Sequence, residues 1–261
     1  MKRAKILGLC LIAVLTGSAI ASAAASAALP EFGRCVKVTT PHTGAYKGNN
    51  CLIPAGGTGA YNWEPGPGAA KKFEGAGETA TLETVGKQKI QCGGSTFTGE
   101  YTGAKTETVT LNLINCADVS TAQLCQSNPV KEGEIETPVA LEGELGFIVG
   151  GEKPTVGLDL KHSPTIVTFE CGKLPETTIV HGALEGSVIS KIMPIDRMVK
   201  EFKQTYRTSA GKQIPQQFEG GAKDTLTLTL VSGLTKTTEE AGLKNKLVTE
   251  ENEEALEIKA K

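Results

Sequence analysis

The sequence predicts an all-β protein, either an antiparallel β-sandwich or a barrel-like fold, with a long Gly/Pro-rich loop and disulfide bonds. Three observations predict this class. Apolar and polar residues alternate with the period of a half-buried strand, as in Thr106–Leu113 and Asp224–Val231. The 31 glycines mark frequent turns and bulges. After the first 28 residues, no window of about 12 residues combines helical spacing with capping residues.

Alternation continues through the second half of the chain. Further strand-like runs are Leu141–Val149, Val167–Cys171, Val180–Ile192 and Glu254–Ala260. Met198–Tyr206 fits a short helix or a strand. Gly233–Glu254 is rich in Lys, Glu and Thr, so we expect a mobile hairpin or loop before the last strand.

The segment Pro41–Glu78 differs from the rest of the chain in its density of glycine and proline. We expect few strand ladders there and predict a long loop or surface arm. It carries Tyr46, Tyr61 and Trp63, whose flat rings could stack on a sugar or fill a pocket of a partner. These three residues are the candidate ligand-binding residues. The alternative is that Trp63 folds back and plugs one end of the β fold.

Residues 1–28 have the pattern of a signal peptide. Lys2, Arg3 and Lys5 form a positive start, Ile6–Ile20 is uncharged and largely apolar, and Ala25–Ala27 reads as a small-residue cleavage site. We therefore expect an exported protein, secreted or held at the cell surface, with no membrane contact after cleavage.

The cysteines point to disulfide bonds. Removal of Cys10 with the leader leaves six, an even number in an exported chain: Cys35, Cys51, Cys92, Cys116, Cys125 and Cys171. Six cysteines allow 15 connectivities. The pairing favoured by short loops and strand ends is Cys35–Cys51, Cys116–Cys125 and Cys92–Cys171. The chain contains no CxxC and its histidines stand alone, so we expect no metal site.

Cysteine parity also bears on domain organisation. Only Cys171 lies after residue 126, so full pairing requires it to bond back to the N-terminal half. This predicts a single disulfide-linked β domain over residues 29–261. A division into two β subdomains, about 29–150 and 151–261, is the alternative.

Composition argues against several classes of function. The 261 residues carry a formal net charge of -2 and have a pI near 6.0, which is not the electrostatic footprint of a nucleic-acid binder. No P-loop and no G-x-S-x-G motif occurs. We therefore expect no cofactor and no nucleic-acid partner.

Catalytic candidates are weak. We expect the three histidines, His42, His162 and His181, to be solvated rather than to act as bases. Several glutamates sit beside apolar strand positions and are predicted to face solvent: Glu83, Glu100, Glu170 and Glu185. A pair of glutamates at glycosidase spacing would occur by chance among so many carboxylates, so no catalytic residue is assigned.

Several segments of the mature chain carry a resemblance. They are Leu29–Cys35, Gly59–Trp63, Thr81–Thr84, Ile90–Cys92, Gly99–Gly103 and Cys125–Ser127. With these segments the chain resembles a group of uncharacterised secreted proteins of actinobacterial type. The resemblance implies export and a shared β fold, and it supplies no activity and no functional residue.

The resulting hypothesis is an exported β protein with a binding or structural role at the cell envelope and no catalysis. Its expected partner is a cell-wall glycan or an envelope protein. The alternative is an exported carbohydrate-active or other hydrolase that uses a pair of glutamates. A self-associating matrix component is a third hypothesis.

Overall fold

The structure is a computed structural model that describes residues 29–128, 131–150, 154–173 and 178–261. The predicted signal peptide, residues 1–28, lies outside the described residues. No helix occurs in these four stretches, and in particular none with the length and apolar character needed to cross a membrane.

The described residues form 21 β-strands. They are β1 (Glu31–Lys37), β2 (Gly44–Tyr46), β3 (Pro54–Gly59), β4 (Tyr61–Pro65), β5 (Lys72–Gly77), β6 (Ala80–Thr84), β7 (Lys89–Cys92), β8 (Gly94–Tyr101), β9 (Thr106–Ile114), β10 (Ala117–Asp118), β11 (Cys125–Gln126), β12 (Ile135–Glu136), β13 (Leu141–Phe147), β14 (Val156–Cys171), β15 (Val180–Met193), β16 (Val199–Thr205), β17 (Arg207–Ser209), β18 (Lys212–Ile214), β19 (Leu226–Ser232), β20 (Thr235–Asn245) and β21 (Val248–Lys259). The all-β prediction is confirmed.

Eight of these strands close into an antiparallel barrel. Around the barrel the order is β5, β8, β9, β13, β14, β15, β16 and β21, and β21 pairs with β5 to complete the ring. Of the two predicted alternatives, sandwich or barrel, the structure is therefore the barrel. A barrel of this size encloses just enough room for side chains or for one small ligand.

The strands β14 and β15 extend beyond the barrel. Their pairing is interrupted by an irregularity between His162 and Val167, after which β15 pairs with β19 through residues 180–186. From β19 the ladder continues through β20, β6, β7 and β10, and we call the outer strands joined in this way the second sheet. Buried residues of the barrel and of the second sheet form one hydrophobic cluster.

Glycines on the inner face of the barrel make room for large rings. Gly75 lies opposite Phe97 and Gly99 lies opposite Phe73 in the β5–β8 pair. A Cβ atom at Gly99 would lie 2.2 Å from the Phe73 ring and 2.4 Å from the main-chain oxygen of Thr108. Each phenylalanine therefore occupies the space that a side chain on the opposite strand would need.

The N-terminal strands close one end of the barrel. β1 pairs with the end of β21 and with β4, and β2 joins β3 and β4. Phe32 of β1 is fully buried, with its ring centroid 4.6 Å from that of Tyr101 and 6.4 Å from that of Phe202. The expectation of few ladders in Pro41–Glu78 is wrong, because that segment contains β2, β3, β4 and β5.

Two other segments bear on the predicted secondary structure: one resolves an alternative, and the other differs from its prediction. Met198–Tyr206 is a strand rather than a helix, since β16 lies between β15 and β21 in the barrel. Gly233–Glu254, expected to be a mobile hairpin or loop, contributes β20 and most of β21. Cross-strand pairing with β6 and β5 explains why this Lys- and Glu-rich stretch is ordered.

The six cysteines of the described residues all form disulfides, which are Cys35–Cys51, Cys92–Cys116 and Cys125–Cys171. The first pair was expected, and Cys171 does bond back to the N-terminal half. The expected pairs Cys116–Cys125 and Cys92–Cys171 are wrong. The reason is strand register, which places Cys125 directly opposite Cys171. Cys116 and Cys125 are also close, but they are joined by a main-chain hydrogen bond of 2.9 Å and not by a disulfide.

The substitution Gly99→Ala tests the ring-over-glycine packing. We expect the free energy of unfolding to fall by about 1–3 kcal/mol, the usual cost of forcing atoms into a well-packed interior. Urea denaturation measures it. Gly48→Ala is the matched control, because a Cβ atom there meets its nearest neighbour, the Asn50 side chain, at an ordinary 3.4 Å. Equal stability losses in the two variants would contradict the packing explanation.

Candidate ligand-binding site

A largely apolar cavity of about 110 Å³ lies between the barrel and the second sheet. Its lining includes barrel residues Val109, Leu160 and Val188, and second-sheet residues Leu82, Leu226 and Leu243. Its polar lining residues are Ser95, Glu107, Thr137, Gln204, Tyr206 and Asn245. The cavity is therefore amphipathic.

Glu107 is the most unusual side chain in this lining. It lies on β9, is only 2% exposed, and neither carboxyl oxygen has a hydrogen-bond partner. Gly143 faces it across the β9–β13 pair, and a Cβ atom at Gly143 would lie 2.5 Å from Glu107 Cγ. The glycine thus leaves the space that the glutamate side chain fills, inside the barrel rather than outside it.

Glu250 on β21 is a second carboxyl in the interior and is better satisfied. It is fully buried, and the Tyr101 hydroxyl donates to its Oε1. Gln204 Nε2 donates to its Oε2 at 2.8 Å. Gln204 Oε1 in turn accepts from Ser190 Oγ at 3.1 Å and from the Tyr206 hydroxyl at 3.2 Å. This chain of hydrogen bonds fixes the carboxyl of Glu250 in place.

Asn252 completes the network at the Tyr101 hydroxyl. Its Oδ1 lies within hydrogen-bond distance of that hydroxyl, and its Nδ2 has no partner. The tyrosine has a single proton, which it donates to Glu250. Turning the amide so that Nδ2 donates to the tyrosine oxygen removes the clash of two acceptors at that hydroxyl, and we assign that orientation.

Burial controls the protonation of both carboxyls. It raises the pKa of Glu107 well above its usual value, and the charge of Glu250 raises it further. Burial also raises the pKa of Glu250 to about 7, against the opposing effect of its hydrogen bonds from Tyr101 and Gln204. Burial therefore favours the neutral form of Glu107, and Glu250 titrates near neutral pH.

Sequence reasoning missed this pair although one signal was present. In the run Thr106–Leu113 the apolar face comprises Val109, Leu111 and Leu113, and Glu107 shares their alternation. A charged residue on an apolar face is the pattern that marks a buried functional group. Glu250 had no comparable signal, because its segment was not recognised as a strand.

The predicted aromatic residues Tyr46 and Trp63 are brought together around Lys259. The Lys259 ammonium lies 4.3 Å from the Tyr46 ring centroid and 4.8 Å from that of Trp63, and donates to the Tyr46 hydroxyl at 3.0 Å. Trp63 Nε1 donates to Oε1 of the buried Glu31 at 2.6 Å. Tyr61 is half-buried and pairs with Tyr46 across β2 and β4. The rings of Tyr46 and Trp63 thus make contacts within the chain.

The remaining candidates lie apart from the cavity. His42 lies in a turn with a positive φ of 62°, and His162 and His181 lie in strands. The four glutamates predicted to face solvent lie on four different strands and are exposed or half-buried: Glu83, Glu100, Glu170 and Glu185. Among the described residues, no three or more His, Cys, Asp or Glu side chains are arranged to hold a metal ion.

The substitution Trp63→Phe tests the contact with Glu31. It keeps a ring near Lys259 but removes the one hydrogen bond that the described part of the chain donates to the buried Glu31 carboxyl, whose other oxygen has no partner there. We expect a loss of about 1–3 kcal/mol in the free energy of unfolding, measured by urea denaturation. Tyr61→Phe is the control, and Trp63→Phe as stable as that control would contradict the prediction.

The interior carboxyls predict a pH dependence of stability. Because their folded pKa values are raised, the folded state holds more protons than the unfolded state above their ordinary pKa. The contribution of these protonated carboxyls to the free energy of unfolding is complete at low pH. It is lost as pH rises through the pKa of each carboxyl in the folded state, which is about 7 for Glu250. We expect the free energy of unfolding to fall from pH 5 to pH 8.

Glu107→Gln should reduce that fall by about 1–3 kcal/mol, because the amide does not ionise. It should not abolish it, since burial also raises the pKa of Glu257 to about 7 and that of Asp159 to about 6. The control is Glu100→Gln, at an exposed position on β8. Chemical denaturation across this range measures both, and an unchanged pH dependence in Glu107→Gln would overturn the assignment.

Comparison of the chain with protein families, curated proteins and solved structures returns no match. The resemblance to secreted proteins of actinobacterial type stays a prediction. The geometry of the cavity and of the Glu107 carboxyl in its lining is therefore what supports a function.

Proposed function

We propose that this chain is an exported, non-catalytic binding protein that holds one small, largely apolar ligand in the cavity between its barrel and its second sheet. The observation that carries this proposal is the Glu107 carboxyl, buried without a partner in the wall of an apolar cavity. A buried polar group without a partner requires an explanation, and a ligand that donates a hydrogen bond to it supplies one.

The size of the cavity limits the ligand. Its volume of about 110 Å³ is of the same order as an engineered apolar cavity of roughly 150 Å³ that binds benzene. A single ring, or a chain of about six carbons, is therefore the scale of ligand that fits without displacing core side chains. Larger ligands would require the second sheet to move.

The same geometry favours binding over the alternative of hydrolysis. A glycosidase acid pair must reach both sides of a sugar linkage and admit water. Glu107 is 2% exposed and Glu250 is 0% exposed, and the Phe32 ring covers the barrel end beyond Tyr101. A polysaccharide would have to unfold the barrel to reach them.

The setting of the protein is consistent with this role. The three disulfides are consistent with an extracellular location, because such bonds persist in oxidising compartments. Export, through the predicted signal peptide, and a location at the cell envelope are part of the proposal. A cell-wall glycan or envelope protein as a docking partner stays a prediction, since the rings of Tyr46 and Trp63 contact Lys259.

Toluene binding tests the proposed function. We expect saturable binding by the purified protein, seen as shifts of interior methyl signals in NMR spectra and as a higher melting temperature. Leu160→Phe should weaken binding at least about tenfold by filling the cavity. Leu234→Phe, the same change at a fully exposed residue, is the control. A folded Leu160→Phe variant that binds as tightly as the control would overturn the site, and no binding by the wild type would overturn the function.

A further inference from the structure

The two interior carboxyls indicate what kind of ligand the cavity takes. Glu107 has two carboxyl oxygens free to accept hydrogen bonds, and Glu250 interacts with it electrostatically. Burial raises the pKa of Tyr101 and of Tyr206, and the charges of Glu107 and Glu250 raise both further, so the hydroxyls near the two acids are neutral. In the described stretches of the chain, neither glutamate has a lysine, arginine or histidine within ion-pair distance.

An acid pair without a counter-charge is costly in such a place. Two buried carboxylates cannot both ionise beside each other unless a positive charge compensates them, so the pair holds protons instead. A ligand that brings its own positive charge would remove that cost. The apolar remainder of the cavity requires the charged group to be attached to a compact hydrocarbon body.

We propose, as an extension of the function proposed above, that the ligand is a compact apolar primary amine whose ammonium group binds the carboxylate of Glu107. An ammonium group has three N–H donors, which matches the two free oxygens of Glu107 and the hydroxyl oxygen of Tyr206, which also lines the cavity. Hydrogen bonds between an ammonium and a carboxylate are about twice as strong as neutral ones. The ring or alkyl chain then lies against Val109, Val188 and Leu226.

The amine explains features that a neutral ligand leaves unexplained. A neutral alcohol or amide could pair with Glu107, but it would leave the like-charge problem between the carboxyls unchanged. A divalent cation is a poor match, because the described residues place no third acidic or imidazole ligand nearby. The proposal rests on the proposed function, since both use the same cavity.

Three probes with one ring body separate the two proposals: toluene, benzyl alcohol and benzylamine. Titration calorimetry of the purified, disulfide-bonded protein at neutral pH gives each affinity. We expect benzylamine to bind at least about tenfold more tightly than benzyl alcohol. Its binding should also release protons, because Glu107 becomes a carboxylate in the complex, and this appears as a dependence of the heat on the buffer.

Glu107→Gln should reduce the ratio of benzylamine to toluene affinity by at least about tenfold and remove the proton release. Glu250→Gln, at an acid outside the cavity lining, should reduce the ratio less than Glu107→Gln does, and exposed Glu100→Gln is the matched control that should keep the wild-type ratio. Tyr101 and Gln204 donate to Glu250 and not to Glu107, so a loss through disruption of that network would lower the melting temperature of Glu250→Gln as well.

The outcomes are distinct. If toluene and benzyl alcohol bind as tightly as benzylamine, recognition of the charge is wrong and the apolar binding function stands. If benzylamine binds tightly but Glu107→Gln keeps the preference and the proton release, the site is elsewhere and the inference is wrong. If none of the three binds, the proposed function and the amine inference both fail.

Discussion

The long β14–β15 pair is the constraint on which the rest of the structure depends. Its first half belongs to the barrel and its second half to the second sheet, with an irregular stretch between His162 and Val167. Along one edge, β15 therefore pairs with two strands in turn: with β19 up to Gly186 and with β16 from Lys191 onward. Where the two partners part, the sheets diverge and their apolar faces cannot fill all the space between them. The cavity lies in that space, so it follows from the topology rather than from one small side chain.

The two carboxyls lie in the interior that this topology creates, where ionisation costs the most free energy. Glu107 and Glu250 face an interior of leucine, valine and phenylalanine, and burial is the largest cause of the raised pKa of each. A sequence selected for stability alone would place an apolar residue at such positions, because burying an ionisable group costs free energy that an apolar side chain does not cost. Gly143 preserves the room that the Glu107 side chain needs, which ties the backbone of a neighbouring strand to the same acid. Glu107 and Gly143, on neighbouring strands, thus both favour a role for the Glu107 carboxyl beyond folding.

Much of the fold could be predicted from alternation, and little of the site could. Thr106–Leu113 and Asp224–Val231 alternate cleanly because one face of each is buried, and both are strands. Barrel closure could not be predicted, because it depends on which distant strands pair. Two of the three predicted cysteine pairs were wrong for the same reason: Cys125 lies opposite Cys171 through a register that no local pattern encodes. Glu107 was detectable by its position in an apolar row, but its lack of a partner is a three-dimensional property.

The closed end of the barrel gives the site a direction. The Phe32 ring packs on Tyr101, and Tyr101 donates to Glu250, so the acid pair lies between this aromatic plug and the cavity. In the proposed binding mode the polar group of the ligand lies at Glu107, and its hydrocarbon body lies against residues of the second sheet such as Leu226 and Leu243. Under that proposal the barrel selects the polar group, and the second sheet limits the length of the hydrocarbon body.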